Sequence, residues 1–149
     1  MAKRILVPLD QSRAAETILP LVSAIARGDG AAVRLLLVAP RPENRVSKEG
    51  QTVAYADQEM ARLEAEGLDY LHPVKMWFGP LGGVDCAVRF GDPVEEILRE
   101  AEAFGADLIA VTTEGRGAVR RALLGSVAEQ VVRKADAPVM LVRPGRSRA

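Results

Sequence analysis

The sequence predicts an open parallel α/β sheet with helices on both faces. Short apolar runs alternate along the chain with segments of helical periodicity, which is the pattern of repeated strand–helix units. These runs are apolar at consecutive positions rather than at every second one, as expected of strands covered on both faces. Because parallel strands are joined by right-handed crossovers, the helices of such a sheet come to lie on both of its faces.

The composition is that of one ordinary globular domain. The chain has 149 residues and a formal net charge of zero, so no overall field draws it to nucleic acid or to a membrane. No apolar stretch approaches the roughly 18 residues of a membrane span, and the first apolar run is too short for a signal peptide. We expect a cytoplasmic protein whose residues 1–149 form one domain, with residues 144–149 as a flexible tail.

The first unit combines a strand and a helix. The run RILVPL predicts a strand over residues 4–9, and Asp10-Gln11-Ser12 supplies the chemistry of a turn and a helix N-cap. Apolar residues then recur at helical spacing as far as Arg27. We expect Gly28 to end this helix and Pro20 to kink it.

The second unit pairs a strand with a long helix. A buried strand is predicted over residues 32–39, and the polar residues 40–51 that follow contain proline and glycine and predict a loop. A helical pattern then covers residues 53–77. Gly67 and Pro73 weaken that pattern, so we expect a kinked or broken helix.

The second half of the chain repeats the alternation. The predicted strands are residues 84–90, 107–112 and 139–143. After the first of them, Asp92 offers an N-cap, Glu95 completes a capping box, and Gly105 marks the end of a helix. Before the last strand, Ser126 and Glu129 predict another capping box. The residues expected on the buried face of that last helix are Val127, Val131 and Val132.

The stretch VTTEGRGAVRRALLGSVAEQ, residues 111–130, matches neither common phosphate loop. A Walker loop needs a lysine directly before its serine or threonine, and no lysine precedes Ser126. A dinucleotide loop needs a third glycine where Arg120 stands. Both standard interpretations of this stretch therefore fail.

The same stretch nonetheless has features that suit an anion at the carboxyl ends of the strands, where such sheets bind ligands. Gly115 and Gly117 allow backbone N–H groups to approach a ligand closely, and Arg116 adds positive charge. A helix that opens at Gly125-Ser126 has free N–H groups at its start. The alternative is that Ser126 only caps its helix and the arginines are solvated.

These residues lead to a family. The chain resembles the universal stress protein family, whose signature after the fourth strand is G-x2-G-x9-G-[ST]. Gly115, Gly125 and Ser126 match the last three elements of that signature at the required spacing. RILVPLDQS and VRFGDPVEEILREAEAFGADLIAV follow the family pattern as well, and residues 40–83 fit it least.

The resemblance implies a sheet of strand order 3-2-1-4-5, usually in a dimer, and an ATP site in the members that bind nucleotide. By motif position, Pro8, Asp10 and Val38 would flank adenine and ribose, while residues 111–115 and 125–127 would hold ribose and phosphates. The full set of expected nucleotide-binding residues is Pro8, Asp10, Val38, Val111, Thr112, Gly115, Arg116, Gly117, Gly125, Ser126 and Val127. Asp10 has a second interpretation, in which it only stabilises the start of the first helix.

Thr112 departs from the family pattern, because it stands where the first signature glycine belongs. Its β-carbon could crowd the nucleotide, and a β-branched residue disfavours positive φ. Alternatively, its hydroxyl could bind a phosphate. Glu114 stands where relatives often carry histidine, and its charge would weaken phosphate binding unless it points outward.

The resemblance implies a non-enzymatic stress-response homodimer that binds ATP or a related adenine nucleotide, with or without Mg²⁺. An apolar edge strand invites pairing, so the dimer is expected to form through residues 139–143. The alternative is a ligand-free interaction or chaperone-like dimer with a degenerate site, and slow incidental ATP hydrolysis is a third hypothesis. A nucleophilic Ser126 would need a base, and the one histidine, His72, lies in the long helix. With Cys86 as the one cysteine, the two residues cannot build a zinc site.

Overall fold

The computed structural model describes residues 2–42, 52–79, 83–113 and 126–144. Strands and helices alternate within these ranges. The strands are β1 (Arg4–Leu9), β2 (Ala32–Ala39), β3 (Val84–Phe90), β4 (Leu108–Thr112) and β5 (Val139–Val142). The helices are α1 (Arg13–Glu16), α2 (Leu19–Asp29), α3 (Thr52–Trp77), α4 (Pro93–Phe104) and α5 (Ser126–Lys134).

The sheet has the order β3-β2-β1-β4-β5, and every pair of neighbouring strands is parallel. The predicted fold class is therefore confirmed. The chain moves outward from β1 through β2 to β3, then returns to the other side of β1 for β4 and β5. The switch in direction falls between β1 and β4.

Each face of the sheet carries its own apolar core. Alternate residues of β1 point to opposite faces, so Val7 packs in one core and Leu6 in the other. The first core is covered by residues of α1, α2 and α3, such as Ala15, Val22 and Leu71. The second is covered by α4 and α5. Both cores are continuous with the central strands, which places the ends of β1 and β4 on a rigid support.

The prediction for the first helix is wrong in two respects. Residues 12–27 do not form one kinked helix, because α1 and α2 are separate and Pro20 lies in the first turn of α2, where proline is tolerated. Gly28 lies inside α2, and the helix ends at Gly30, which has a φ of 65°. Glycine adopts this left-handed conformation without steric cost.

Of the two forms expected for the long helix, kinked or broken, the broken one is wrong, because α3 is a single helix of 26 residues with Pro73 inside it. Gly67 serves packing: a β-carbon at this position would lie 2.9 Å from Val88 Cγ2 on β3. At the end of α3, Phe78 is buried, whereas Trp77 is 53% exposed. The caps of α4 are as predicted, since Asp92 accepts a hydrogen bond from the backbone N–H of Glu95 and Gly105 ends the helix with a φ of 68°.

Candidate functional site

The pairing between the two central strands ends before their carboxyl ends. The last paired residues of β1 and β4 are Leu6 and Ile109. Beyond them, β1 stays paired with β2 as far as Leu9, and β4 stays paired with β5 as far as Thr112. The sheet therefore opens at its switch point, which is the place where open α/β sheets bind ligands. We call the region between the carboxyl ends of β1 and β4, beyond their last shared pair, the β1–β4 opening.

The amino ends of the same strands are tied together by Asp107. Its carboxylate accepts hydrogen bonds from the backbone N–H groups of Lys3, at 2.9 Å, and of Arg4, at 3.1 Å. Desolvation opposes ionisation of this carboxyl, but these backbone donors hold the pKa of Asp107 below its usual value. The separation of β1 and β4 is thus confined to the carboxyl side of the sheet.

Asp10 lies at the end of β1 and shapes the turn that leads into α1. Its carboxylate accepts hydrogen bonds from the backbone N–H of Ser12, at 3.0 Å, and from the Ser12 hydroxyl. The Ser12 oxygen in turn accepts from the backbone N–H of Ala15 at 3.0 Å and caps α1. Between them, Gln11 has a φ of 67°, a conformation uncommon for a residue other than glycine. Asp10 therefore has the structural role that was one of its two interpretations, and contact with a ribose stays a prediction.

Tyr70 links α3 to α1, the helix that follows this turn. Its hydroxyl donates a hydrogen bond to the Glu16 carboxylate at 2.7 Å. Burial, this hydrogen bond, and the charges of Glu16 and Asp10 raise the pKa of Tyr70 above its usual value. The sequence does not reveal this contact, because Tyr70 fits the helical periodicity of α3. The signal that could have found it is the polar tip of a half-buried tyrosine, which needs a partner.

The remaining predicted residues on β1, β2 and β4 lie near the carboxyl side of the sheet. Pro8 and Val38 are half-buried, near the ends of their strands. The side chain of Val111 is 6% exposed and packs in the core under α4 and α5, so it can offer a ligand only its backbone groups. None of these placements tests the predicted contacts with a nucleotide.

Thr112 is the last residue of β4 and is paired with Val142 of β5. It does not adopt the positive φ that would strain a β-branched residue, since Gln11 is the residue other than glycine with that conformation in the described part of the chain. Its backbone is therefore regular strand. The next residue, Thr113, is buried and donates its N–H to the Val142 carbonyl at 3.0 Å.

The helix α5 begins at Ser126, and both Ser126 and Val127 are exposed. The prediction that Val127 and Val132 lie on its buried face is wrong. They are 36% and 42% exposed, whereas the buried residues of α5 are Ala128 and Val131. Because 100° per residue separates positions on a helix, a face centred on Val131 includes Ala128 and turns Val132 toward solvent.

Several predicted site residues lie outside the described ranges. They are Gly115, Arg116, Gly117 and Gly125, and Glu114 and Arg120 belong to the same stretch. Their expected contacts with phosphate therefore stay predictions.

The other titratable side chains have structural surroundings. Glu100 on α4 is 7% exposed and accepts hydrogen bonds from Arg34 Nη1, at 2.9 Å, and Arg89 Nε, at 2.7 Å. Burial raises the pKa of Cys86, whose thiol contacts the Leu71 carbonyl. In the four described ranges, no group of three or more histidine, cysteine, aspartate or glutamate side chains could hold a metal ion.

This strand order and the β1–β4 opening define a doubly wound α/β protein whose switch point lies beside its first strand. The chain belongs to the universal stress protein family, whose model matches residues 1–143. The signature residues after β4 had suggested this family. No helix of the described segments is long and apolar enough to cross a bilayer.

Known relatives share both the sequence and the fold. Universal stress protein MJ0577 of Methanocaldococcus jannaschii is 30% identical over an alignment of 155 positions, which covers 96% of each chain. The solved structure of MJ0577 superposes with a TM-score of 0.82 over 97% of this chain and 98% of that one, at 31% identity. The likeness therefore extends over the whole fold.

Two more distant structures hold nucleotides. A universal stress protein in complex with cAMP matches with a TM-score of 0.64 at 19% identity, over 97% of this chain and 99% of that one. The universal stress protein of Archaeoglobus fulgidus in complex with dAMP matches with a TM-score of 0.60 at 21% identity, over 93% and 96%. At these identities the likeness shows a shared fold.

Proposed function

We propose that the protein is a cytoplasmic, non-enzymatic stress-response protein that binds ATP or a related adenine nucleotide and acts as a homodimer through residues 139–143. The observation that carries the nucleotide proposal is the β1–β4 opening, which lies where this fold class binds ligands. Family membership supports the stress-response role. Adenine nucleotides in two proteins of the same fold support the choice of ligand.

The described residues suggest which part of the site would bind the adenosine moiety and which part would bind the phosphates. Asp10, Pro8 and Val38 offer a carboxylate and apolar surface for the adenosine moiety. The start of α5 suits the phosphates, because nine helical residues align their dipoles and the first N–H groups have no partner within the helix. Glu129 in the first turn would oppose a phosphate, but its carboxylate is paired with Arg133 at 2.7 Å. In this arrangement Mg²⁺ would be bound together with the phosphates.

The second candidate is an interaction or chaperone-like dimer that binds no nucleotide. Two features favour it: Thr112 stands where the resemblance to the family places a signature glycine, and the Asp10 carboxylate already holds the turn before α1. On this alternative, the opening is a structural consequence of the fold.

Nucleotide binding is tested on the full chain. Nucleotide that copurifies is released and identified, and melting is followed with MgATP, cAMP and MgGTP. A ligand present at 100 times its dissociation constant adds about 2.7 kcal/mol, which raises the melting temperature by about 5–10 °C at this size. The absence of both a shift and a copurified adenine nucleotide would overturn the proposal in favour of the second candidate.

A pair of isosteric variants shows whether the site is the one proposed. Asp10→Asn keeps an oxygen acceptor for Ser12 and so keeps the turn, but it removes the charge. We expect it to weaken ATP binding by about tenfold, as for a lost charge-assisted hydrogen bond. Asp92→Asn makes the same change at the cap of α4, where asparagine caps equally well, and should leave affinity unchanged.

A further inference from the structure

Pro8 occupies the central strand of the sheet, a position that proline seldom takes because it cannot donate to a strand ladder. The Lys3 carbonyl accepts from the Ala32 N–H on the β2 side at 2.9 Å. The Arg4 carbonyl accepts from the Asp107 N–H on the β4 side at 3.0 Å. Because successive residues of a strand face opposite neighbours, Pro8, like Arg4, faces β4.

The opposite wall shows which bond is missing. The N–H of Ile109 donates to the Pro138 carbonyl beside β5, so the neighbouring Ala110 faces β1. After the last pair, Leu6 with Ile109, the next bond of the ladder would run from the N–H of residue 8 to the Ala110 carbonyl. Proline has no N–H, and the pairing stops at this point.

We propose that Pro8 is a positioning residue that holds the β1–β4 opening by withholding the donor that would extend the ladder. Both strands continue as regular strand beyond the last pair, as far as Leu9 and Thr112, so their backbones are otherwise suited to pairing. Paired strands lie about 4.8 Å apart, which leaves no room for a base or a sugar between them. The consequence for ligand affinity rests on the proposed function, whereas the effect on strand pairing does not.

The test separates the missing N–H from the ring that replaces it. Pro8→Ala supplies an N–H at position 8. Pro8→N-methylalanine, made by joining a synthetic amino-terminal peptide to the rest of the chain, removes the ring and supplies none. Pro8→Val keeps the side-chain volume and serves if the alanine variant does not fold. Pro20→Ala, in the first turn of α2, controls for the freedom that any proline replacement gives the unfolded chain.

Amide exchange measured by nuclear magnetic resonance reports the pairing. In Pro8→Ala, we expect the new N–H to exchange at least about tenfold more slowly than in an unfolded peptide and to show coupling through the hydrogen bond to the Ala110 carbonyl. ATP affinity should fall about five- to tenfold, because the form in which β1 and β4 pair as far as residue 8 competes with the form that binds the nucleotide. Pro20→Ala should bind as the unaltered protein does. Pro8→N-methylalanine loses the same ring as Pro8→Ala but supplies no N–H, so it should keep more ATP affinity than Pro8→Ala does.

Each contrary result has a distinct meaning. Fast exchange at position 8 in folded Pro8→Ala and Pro8→Val overturns the proposal, because the strands then stay apart for another reason. A protected N–H with unchanged ATP affinity overturns the role in the ligand site. If the unaltered protein itself does not bind adenine nucleotides, the proposed function fails, and exchange at position 8 still decides whether Pro8 limits the ladder.

Discussion

The hydroxyl of Tyr70 on α3 lies 2.7 Å from the carboxylate of Glu16, and this hydrogen bond ties the long helix to α1, the helix that follows Asp10. A hydrogen bond to a charged partner contributes about 1.5–3 kcal/mol when buried, and less when half-exposed. We expect Tyr70→Phe to lower the free energy of unfolding by about 1–2 kcal/mol in urea titrations. In a double-mutant cycle with Glu16→Gln, strictly additive effects would contradict a direct interaction.

The same contact predicts a dependence on pH. The pKa of Tyr70 is raised in the folded protein, so its contribution is complete below the unfolded pKa of about 10 and is lost as the pH rises through the folded value. The difference in unfolding free energy between the unaltered protein and Tyr70→Phe should therefore shrink between pH 9 and pH 11. A difference that stays constant over this range would show that folding does not raise the pKa of Tyr70.

Gly67 gives a prediction in which packing outweighs helix propensity. Alanine is favoured over glycine inside a helix by about 1 kcal/mol. A β-carbon at Gly67 would, however, lie 2.9 Å from Val88 Cγ2 and 3.0 Å from Leu37 Cδ2. Overpacking of this kind costs about 1–3 kcal/mol, so we expect Gly67→Ala to be destabilising on balance.

The matched control for Gly67→Ala is Gly28→Ala in α2. A β-carbon at Gly28 would have no neighbouring atom within 4 Å, so only helix propensity distinguishes alanine from glycine there. The free energy of unfolding of Gly28→Ala should therefore rise by about 0.5–1 kcal/mol. Adding Val88→Ala to Gly67→Ala should recover part of the loss by making space. Equal gains for the two glycine variants in chemical denaturation would refute the packing argument.

The sequence predicted the elements whose signals are local and missed those decided by contacts. Apolar runs located every strand to within a residue at each end, because buried strands allow few polar positions. The predicted break at Gly67 failed because the need for close approach to Val88 is a tertiary constraint. Gly28 is a plausible helix end by sequence, because glycine is common at that position, but the left-handed residue is Gly30, two positions later.

The candidate site could be predicted only where it follows from topology. The end of β1 and the start of α5 fall on the carboxyl side of any such sheet, and so Asp10 and Ser126 could be named from pattern and family motif. The hydrogen bonds by which Asp10 holds the turn with Ser12 could not be read from spacing alone, because they depend on the φ of Gln11. The partner of Tyr70 lies 54 positions away, beyond the reach of periodicity.

The proposed homodimer can be tested by blocking one edge of β5. This strand ends the sheet order, and residues 139–142 are all half-buried. The Val142 and Pro138 carbonyls accept from β4, so the N–H of Leu141 faces the outer edge. Leu141→Pro therefore removes an outward donor without touching the β4–β5 ladder.

We expect Leu141→Pro to weaken the dimer by at least about tenfold, as measured by light scattering over a dilution series. Leu141→Ala removes the same side chain but keeps the N–H, so its dimer affinity should stay closer to that of the unaltered protein. Met140→Pro removes a donor that faces β4, and should lower the melting temperature more than Leu141→Pro does. Dimers of unchanged strength in Leu141→Pro would place the interface elsewhere.

Substitutions at Thr112 test whether a threonine at the expected position of the first signature glycine permits a nucleotide. It has regular strand geometry and pairs with Val142, so replacement by glycine relieves no backbone strain and costs about 1 kcal/mol of strand stability. By alternation its side chain lies on the face of Ala110, under α1 to α3, rather than on the face of α4 and α5. We therefore expect Thr112→Gly to lower stability while ATP affinity stays within about threefold of the unaltered value.

Two further substitutions at Thr112 separate shape from hydrogen bonding. Thr112→Val keeps the branched shape without the hydroxyl, and Thr112→Ser keeps the hydroxyl without the methyl group. If the hydroxyl binds a phosphate, Thr112→Val should lose about tenfold in affinity, as for one hydrogen bond to a charged group, while Thr112→Ser keeps it. A tenfold gain in Thr112→Gly, shared in part by Thr112→Ser, would instead show that the threonine crowds the nucleotide, and the change at the first signature position would then be a cause of weakened binding.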